Sequence, residues 1–328
     1  MTWTPDAPRF KLLEGPSPLH RLPRFTAALD GASRVDVWIK REDLLPLAFG
    51  GNKLRNLEFL VGAALAEGAD ALITSGRRWS NHCRLAAAAG ARAGLEVHLV
   101  LTGPPTVSPG ANESLERLMG ARVQLTATDD RAERAAAVEA VAAGLRAAGR
   151  RPYVIDVGGS GVTGALGQVL AGLEVAGQAA AVGLAPDTVV LPTATGCTQA
   201  GLAVGLALAG MDAALVGVAV AYPAAEVSPV IASLAGELRG IAGLAAGWRP
   251  AIIVEDLRTA YGRRDLAADE ATELLARTEG ILVDPIYTAK ALAWLVAEAR
   301  SGRLDGRTVV FWHAGGTPGL FESLDPAG

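Results

Sequence analysis

Lysine is scarce in this chain: Lys11, Lys40, Lys53 and Lys290 are the only four among 328 residues. Cysteine is scarcer. Cys83 and Cys197 lie far apart, which excludes a disulfide framework and a zinc site of the usual spacing. Basic tracts are missing; arginine clusters no further than pairs such as Arg77-Arg78, and the formal net charge is −4. That balance argues against nucleic acid or an anionic membrane as a partner. The most apolar stretch, 200–221, is broken by Asp212 after Gly210, so it reads as a buried helix, a turn and a strand rather than a membrane span. The opening MTWTPDAPRFKLLEG lacks the basic end and apolar run of an export signal, so a cytoplasmic protein is expected.

What is present is ample apolar surface. Hydrophobic residues make up 50% and charged residues 20%, which excludes a disordered chain. At roughly 100–200 residues per domain, the length suggests two domains. Short β-branched runs alternate with Ala-rich helical stretches. Strands are expected at 35–39, 71–74, 97–101, 123–125, 153–157, 188–191, 215–220, 252–254 and 308–312. Helices are expected at 54–67, 81–93, 111–119, 131–148, 164–180, 200–208, 269–278 and 290–299. Strand followed by helix, repeated with near-continuous apolar strands, is the pattern of α/β proteins whose parallel sheets are covered on both faces.

Several strand-to-helix turns carry chemistry. In Gly50-Gly51-Asn52-Lys53-Leu54-Arg55 the glycines permit a tight turn and Lys53 opens a helix. The positive end of the helix dipole disfavours a charged amine there, which suits a nucleophile. A surface lysine after a turn is the plainer alternative, but no other lysine lies in a Gly-rich strand-to-helix turn. The second turn, Thr193-Ala194-Thr195-Gly196-Cys197-Thr198-Gln199-Ala200-Gly201, offers small hydroxyls and free N–H groups to an anion, or merely caps its helix. Ser80-Asn81-His82 reads as an N-cap that can also bind a carboxylate or a ring oxygen. Gly159-Ser160-Gly161-Val162-Thr163-Gly164 fits a dinucleotide fingerprint, but no acid closes a second strand about 20 residues on, so it reads as a structural turn. Asp284-Pro285-Ile286-Tyr287-Thr288, His313-Ala314-Gly315-Gly316-Thr317 and Tyr261 are weak signals alone.

Taken in order, Lys40-Arg41-Glu42-Asp43, Gly-Gly-Asn-Lys-Leu-Arg, Ser-Asn-His, Thr-Gly-Cys-Thr-Gln-Ala-Gly, Asp-Pro-Ile-Tyr-Thr and Gly-Gly-Thr-Pro-Gly-Leu-Phe resemble one family over about residues 22–321. It is the D-cysteine desulfhydrase / 1-aminocyclopropane-1-carboxylate (ACC) deaminase family of pyridoxal 5′-phosphate (PLP) enzymes, of the tryptophan-synthase-β fold type. The resemblance implies two open-sheet α/β domains, 1–53 plus 161–328 and 54–160, with PLP in the cleft between them, and a homodimer. It implies that Lys53 holds PLP as a Schiff base and moves protons. Asn52, Asn81, Thr195, Gly196, Cys197, Thr198, Thr288 and Thr317 would contact the cofactor. Ser80, Asn81, His82, Trp79, Tyr261 and Tyr287 would face a small amino-acid substrate, with Ser80, Tyr261 and Tyr287 catalytic beside Lys53.

The implied reaction is β-elimination, in which D-cysteine gives pyruvate, sulfide and ammonia. Thr288 occupies the slot where ACC deaminases carry Glu, and His82 the slot where they carry Gln; both favour the desulfhydrase branch. The 195–201 loop looks closer to the ACC deaminase version. Arg77-Arg78-Trp79 departs from the small residue, Val or Ile, and Gln usual before the Ser-Asn pair. Either these side chains point outward, or an Arg there favours an acidic side chain, as in L-cysteate. A β-replacement synthase, a catalytically silent PLP-binding protein and a dinucleotide oxidoreductase are the alternatives of other classes.

Overall fold

The computed structural model describes residues 3–29, 34–103, 108–128, 130–256 and 261–322. Within them, ten strands form two sheets. One sheet holds β1 (Leu19–Arg21), β2 (Asp36–Arg41), β10 (Thr308–His313), β7 (Thr188–Thr193), β8 (Ala214–Ala219) and β9 (Ile253–Glu255), side by side in that order. β1 runs antiparallel to β2; every other pairing is parallel. The second sheet is wholly parallel, in the order β5 (Arg122–Thr126), β4 (Glu96–Thr102), β3 (Ala71–Arg77) and β6 (Pro152–Val154).

Each expected strand is present. The run expected at 153–157 stops at Val154, and residues 157–159 turn as a single 3-10 turn. The strands are apolar on both faces because helices cover both faces: in Thr-Val-Val-Phe-Trp-His of β10 the last five side chains are buried. The helices are α1 (Pro23–Ala28), α2 (Lys53–Ala66), α3 (Asn81–Ala93), α4 (Ala111–Leu118), α5 (Arg131–Ala147), α6 (Val162–Ala181), α7 (Cys197–Ala209), α8 (Ala224–Ala242), α9 (Leu266–Glu279) and α10 (Thr288–Arg300). No helix among the described residues is long and apolar enough to cross a membrane.

α2 lies at the centre of this arrangement. Its residues Leu54 to Gly62 are all buried, so it is enclosed on every side, as helices of a core are. It packs on α3 and α6. A glycine sets how near α6 comes: a Cβ on Gly167 would lie 1.9 Å from the carbonyl oxygen of Arg55. Arg55 itself anchors the first turn. Its guanidinium donates to both oxygens of Glu42, at 2.6 and 2.8 Å, and to both oxygens of Glu174, at 2.9 and 2.8 Å. Lys40 closes the group from β2, pairing with Glu174 and donating to Gln178 Oε1 at 2.6 Å and the Ser17 carbonyl at 2.7 Å. Arg55 is 3% exposed, and Lys40 and Glu42 are fully buried. Buried charges are tolerated only when paired and fully hydrogen-bonded, and these are.

Replacing Arg55 with Ala strands the fully buried Glu42 and leaves Glu174 to Lys40 alone, so we expect a loss of about 3–5 kcal/mol in urea unfolding. A loss below about 1 kcal/mol, the range of surface pairs, would show that this group does not hold α2 in place.

Candidate active site

The C-terminal ends of β3, β7, β8 and β10 point toward one another. Open parallel sheets place their ligand sites at such ends. Here the loops after these strands, with the start of α2, enclose a cavity of about 360 Å³, within the range of small-molecule sites.

Lys53 enters it from a strained turn. The four residues Ala48 to Gly51 hold φ of 47°, 64°, 63° and 128°, although the first two are not glycine. Such residues cost on the order of 1–3 kcal/mol each and persist only where surroundings over-determine them. Three hydrogen bonds do so: Gly51 N–H to the Glu42 carbonyl at 2.9 Å, Asn52 N–H to the Ala314 carbonyl at 2.9 Å, and the Arg84 guanidinium to the Gly50 carbonyl at 3.0 Å. Gly315 closes against this turn, where a Cβ would meet Gly51 Cα at 2.5 Å. Burial lowers the pKa of the Lys53 amine, partly opposed by the Cys197 thiol. An amine so placed favours its neutral, nucleophilic form.

Thr195 to Thr198 form the opposite wall at the N-terminus of α7. Gly196 caps that helix with φ 81°, a left-handed conformation. Asn52 joins the two walls by donating its amide to Thr198 Oγ1 at 2.9 Å. Cys197 is fully buried behind them and accepts from the Asn56 amide at 3.3 Å; burial raises its thiol pKa, so it stays protonated. Free N–H groups at a helix N-terminus favour an anion.

The third wall is the start of α3. Ser80 caps it, its Oγ accepting from Cys83 N–H at 3.2 Å. Asn81 lines the cavity, and its buried Oδ1 has no hydrogen-bond partner among the described residues. His82 is buried against Thr74 Oγ1 at 3.0 Å, and its Nδ1 has no partner among the described residues. Its pKa falls to about 3, first through burial and then through the charge of Lys53.

The fourth wall is aromatic. Tyr261 and Tyr287 share a short hydroxyl–hydroxyl hydrogen bond, with rings 5.7 Å apart at 61°. Burial raises the pKa of both phenols, that of Tyr261 to about 12, so both are neutral at ordinary pH. Asp284 fixes this segment by accepting from the backbone of Tyr287 at 2.8 Å and Thr288 at 3.0 Å. The Thr288 hydroxyl donates to the Gly315 carbonyl at 3.0 Å.

Of the expected site residues, Trp79 and Thr317 do not line the cavity. Trp79 packs edge-on behind Tyr261, with centroids 6.0 Å apart, and Thr317 opens a 3-10 turn beyond Gly316. The other twelve expected residues converge on it. Arg78 turns away to pair with Glu113 at 2.5 Å, whereas Arg77 lines the cavity. Gly158, Arg131 and Arg134 are among the lining residues that were not anticipated. Gly158, in the turn before the discounted fingerprint, faces the cavity, and Ser160 donates to Thr195 Oγ1 at 2.6 Å. Arg131 and Arg134 come from the first turn of α5, where the sequence shows only the charges of an amphipathic helix.

Residues 10–315 match the family described as "Pyridoxal-phosphate dependent enzyme". The chain belongs to that family, and PLP is its cofactor. It is 40% identical over 321 residues to a D-cysteine desulfhydrase of Salmonella choleraesuis (strain SC-B67), covering 96% of this chain and 95% of that one. Among solved structures, an ACC deaminase homologue is similar with a TM-score of 0.88 and 35% identity, covering 96% of this chain and 94% of the other. A PLP-dependent aspartate racemase, 16% identical with a TM-score of 0.67, shares the fold. The residues present fit the cofactor: a depressed amine, an anion-ready helix terminus and the unpartnered Asn81 Oδ1 surround one cavity.

Lys53→Ala should bind PLP without the visible absorption of the covalently held cofactor; a surviving band would assign the linkage to another lysine. His82 sets a second expectation. A histidine free in the unfolded chain titrates near 6.5, so the folded chain keeps its advantage above that pH and loses it as pH falls toward 3. His82→Gln should flatten the loss of unfolding free energy below pH 6.5; an unchanged slope would assign the acid sensitivity to other groups.

Proposed function

We propose that this enzyme catalyses β-elimination of a small amino acid, with D-cysteine giving pyruvate, sulfide and ammonia. The observation that carries the reading is the depressed amine of Lys53 at the wall of a cavity that faces the α7 N-terminus. The 40% identity to a D-cysteine desulfhydrase supports the choice of substrate.

Bound PLP delocalises the electron pair left at the substrate α-carbon. The protein's own groups decide which bond breaks. Lys53 Nζ, its pKa lowered by burial, takes the α-proton. The Ser80 hydroxyl and the N–H groups opening α3 hold the substrate carboxylate, and Asn81 meets the cofactor's ring oxygen. Thr195, Gly196, Cys197 and Thr198 hold the phosphate through the α7 N-terminus, with Asn52 bracing Thr198. Thr288 would meet the ring nitrogen. The Tyr261–Tyr287 pair, neutral and already hydrogen-bonded, gives a proton to the departing sulfur. The C–S bond breaks with its electron pair on sulfur, and one water supplies the keto oxygen of pyruvate, so no oxidant is required.

The similarity to an ACC deaminase homologue also fits ring opening of ACC. We prefer elimination because Thr288 offers a hydroxyl where a carboxylate would keep the ring nitrogen protonated. The working unit in this reading is a cytoplasmic homodimer whose lobes, 54–160 and 1–53 with 161–328, flank the cavity. The resemblance supports that assembly, and light scattering checks it.

The test is release of pyruvate and sulfide from D-cysteine, with L-cysteine and ACC beside it. Sulfide and pyruvate from D-cysteine are expected. Turnover of ACC with none of D-cysteine would replace elimination with ring opening.

A further inference from the structure

The proposed reaction makes no use of His313, a titratable side chain just behind the cavity wall. It ends β10, a strand paired on both edges, and is fully buried. Both ring nitrogens are engaged. Nδ1 lies 3.2 Å from the Gly315 N–H, and Nε2 lies 2.8 Å from the Leu282 carbonyl oxygen. A backbone N–H only donates and a carbonyl only accepts. Nδ1 is therefore the bare acceptor, and Nε2 carries the proton. The imidazolium, or the other neutral tautomer, would set a ring N–H against the Gly315 N–H. Burial lowers the pKa of the ring below the ordinary 6.5, which favours the neutral form. Asp43, 3.8 Å from Nε2, and Asp284 favour the charge and Arg41 opposes it, but desolvation outweighs them.

The ring reaches the site through one peptide group. The N–H of the Ala314–Gly315 peptide donates to His313 Nδ1, and its carbonyl accepts from the Asn52 N–H at 2.9 Å. Asn52 immediately precedes Lys53. A trans peptide points its N–H and its carbonyl in opposite directions, so holding one end aims the other. Gly315 has φ 97°, and a Cβ there would meet Gly51 Cα at 2.5 Å, so this peptide sits flush against the Lys53 turn. The next carbonyl, that of Gly315, accepts from the Thr288 hydroxyl at 3.0 Å. At the other ring nitrogen, Leu282 begins the segment 282–288, which carries Asp284, Tyr287 and Thr288. Ala314 and Gly315 line the cavity with Lys53 and Thr288; His313 stands one layer behind them.

We propose that His313 is a positioning residue for the cofactor: through the Ala314–Gly315 peptide, its Nε2-protonated ring sets the places of Lys53 and Thr288. The inference rests on Lys53 holding PLP and goes beyond it, to what aims that lysine. His313 transfers no proton and touches neither cofactor nor substrate. Its Nδ1 lone pair is the group that matters, because Gly315 N–H has no other acceptor among the described hydrogen bonds.

Two variants separate the ring's nitrogens. His313→Asn places an oxygen at the same step from the backbone as Nδ1. His313→Gln keeps a donor for Leu282 and removes the acceptor for Gly315. PLP affinity and the visible band of the covalently held cofactor are measured, with urea midpoints beside them. His313→Gln should hold PLP about tenfold less tightly and shift the band, and His313→Asn should recover most of both. If both variants match the wild type, or lose affinity equally in step with the urea midpoint, His313 only packs and the inference is overturned. The histidines are His20, His82, His98 and His313, few enough to resolve by magnetic resonance of isotopically labelled ring nitrogens. In the wild-type holoenzyme at neutral pH, His313 should carry its proton on Nε2 alone; a proton on Nδ1 overturns the inference, whether or not the variants fold. Lys53→Ala is the control. If it keeps the band, the assignment of Lys53 fails and takes this inference with it. A band lost in Lys53→Ala but unmoved in His313→Gln overturns this inference alone.

Discussion

The position of Lys53 depends on a buried ionic knot two residues further along the chain. Arg55 cannot leave its place without stranding Glu42, and it shares Glu174 with Lys40. Those four residues come from β2, the turn after it, α2 and α6, so one set of charges fixes how three elements meet. The mutual attraction keeps the pKa of Arg55 high and that of Glu174 low despite burial, so both stay ionised. A knot of this kind contributes less net stability than its geometry suggests, because desolvation opposes it. Its consequence is positional: α2 has one register against its neighbours, and the first residue of α2 therefore has one place.

That constraint explains how the strain before Lys53 is carried. Ala48 and Phe49 adopt left-handed backbone without being glycine, which the chain would relax if either end of the turn were loose. Neither end is. β2 is paired on both edges, α2 is tied by Arg55, and Arg84 holds the Gly50 carbonyl from α3. The amine then projects into a cavity whose other walls come from both sheets. Burial there lowers the pKa of Lys53, and the charge of Lys53 in turn depresses His82. Desolvation thus lowers both groups, and the charge of Lys53 adds to it at His82.

Much of this was legible in the sequence for a physical reason. Strands buried on both faces leave continuous apolar runs, and a helix following directly leaves a polar cap, so strand-to-helix turns stand out as chemistry at the edge of apolar text. Lys53, Ser80, Asn81 and Thr195 to Thr198 all lie at such edges. Elements without that contrast were missed. β1 is three residues, Leu-His-Arg, too short for a period. α8 carries Pro229 inside it, which reads as a break although the helix continues. Arg131 and Arg134 sit in Arg-Ala-Glu-Arg, which is indistinguishable from a solvated helix face until the fold turns that helix end inward. The Gly159–Gly164 turn was set aside because the acid that a dinucleotide needs is absent; Gly158, the residue before it, lines the cavity.

The aromatic wall shows why a departure from a familiar pattern need not alter the chemistry at its centre. Trp79 differs from the expected Gln, yet it stands behind Tyr261 rather than in the cavity, and a Cβ on Gly262 would meet its ring at 2.6 Å. The bulk of the indole is absorbed by a glycine in the next layer. Its edge-on contact with Tyr261 leaves the phenol free to reach Tyr287, and the hydroxyl pair stays at the substrate side. Arg77 fills the remaining space by lying over both rings, where cation–π attraction contributes about 0.5–2 kcal/mol. The substitution therefore moves charge toward the substrate while leaving the hydroxyl pair in position. A pocket altered in this way changes which side chain it accepts before it changes which bond it breaks.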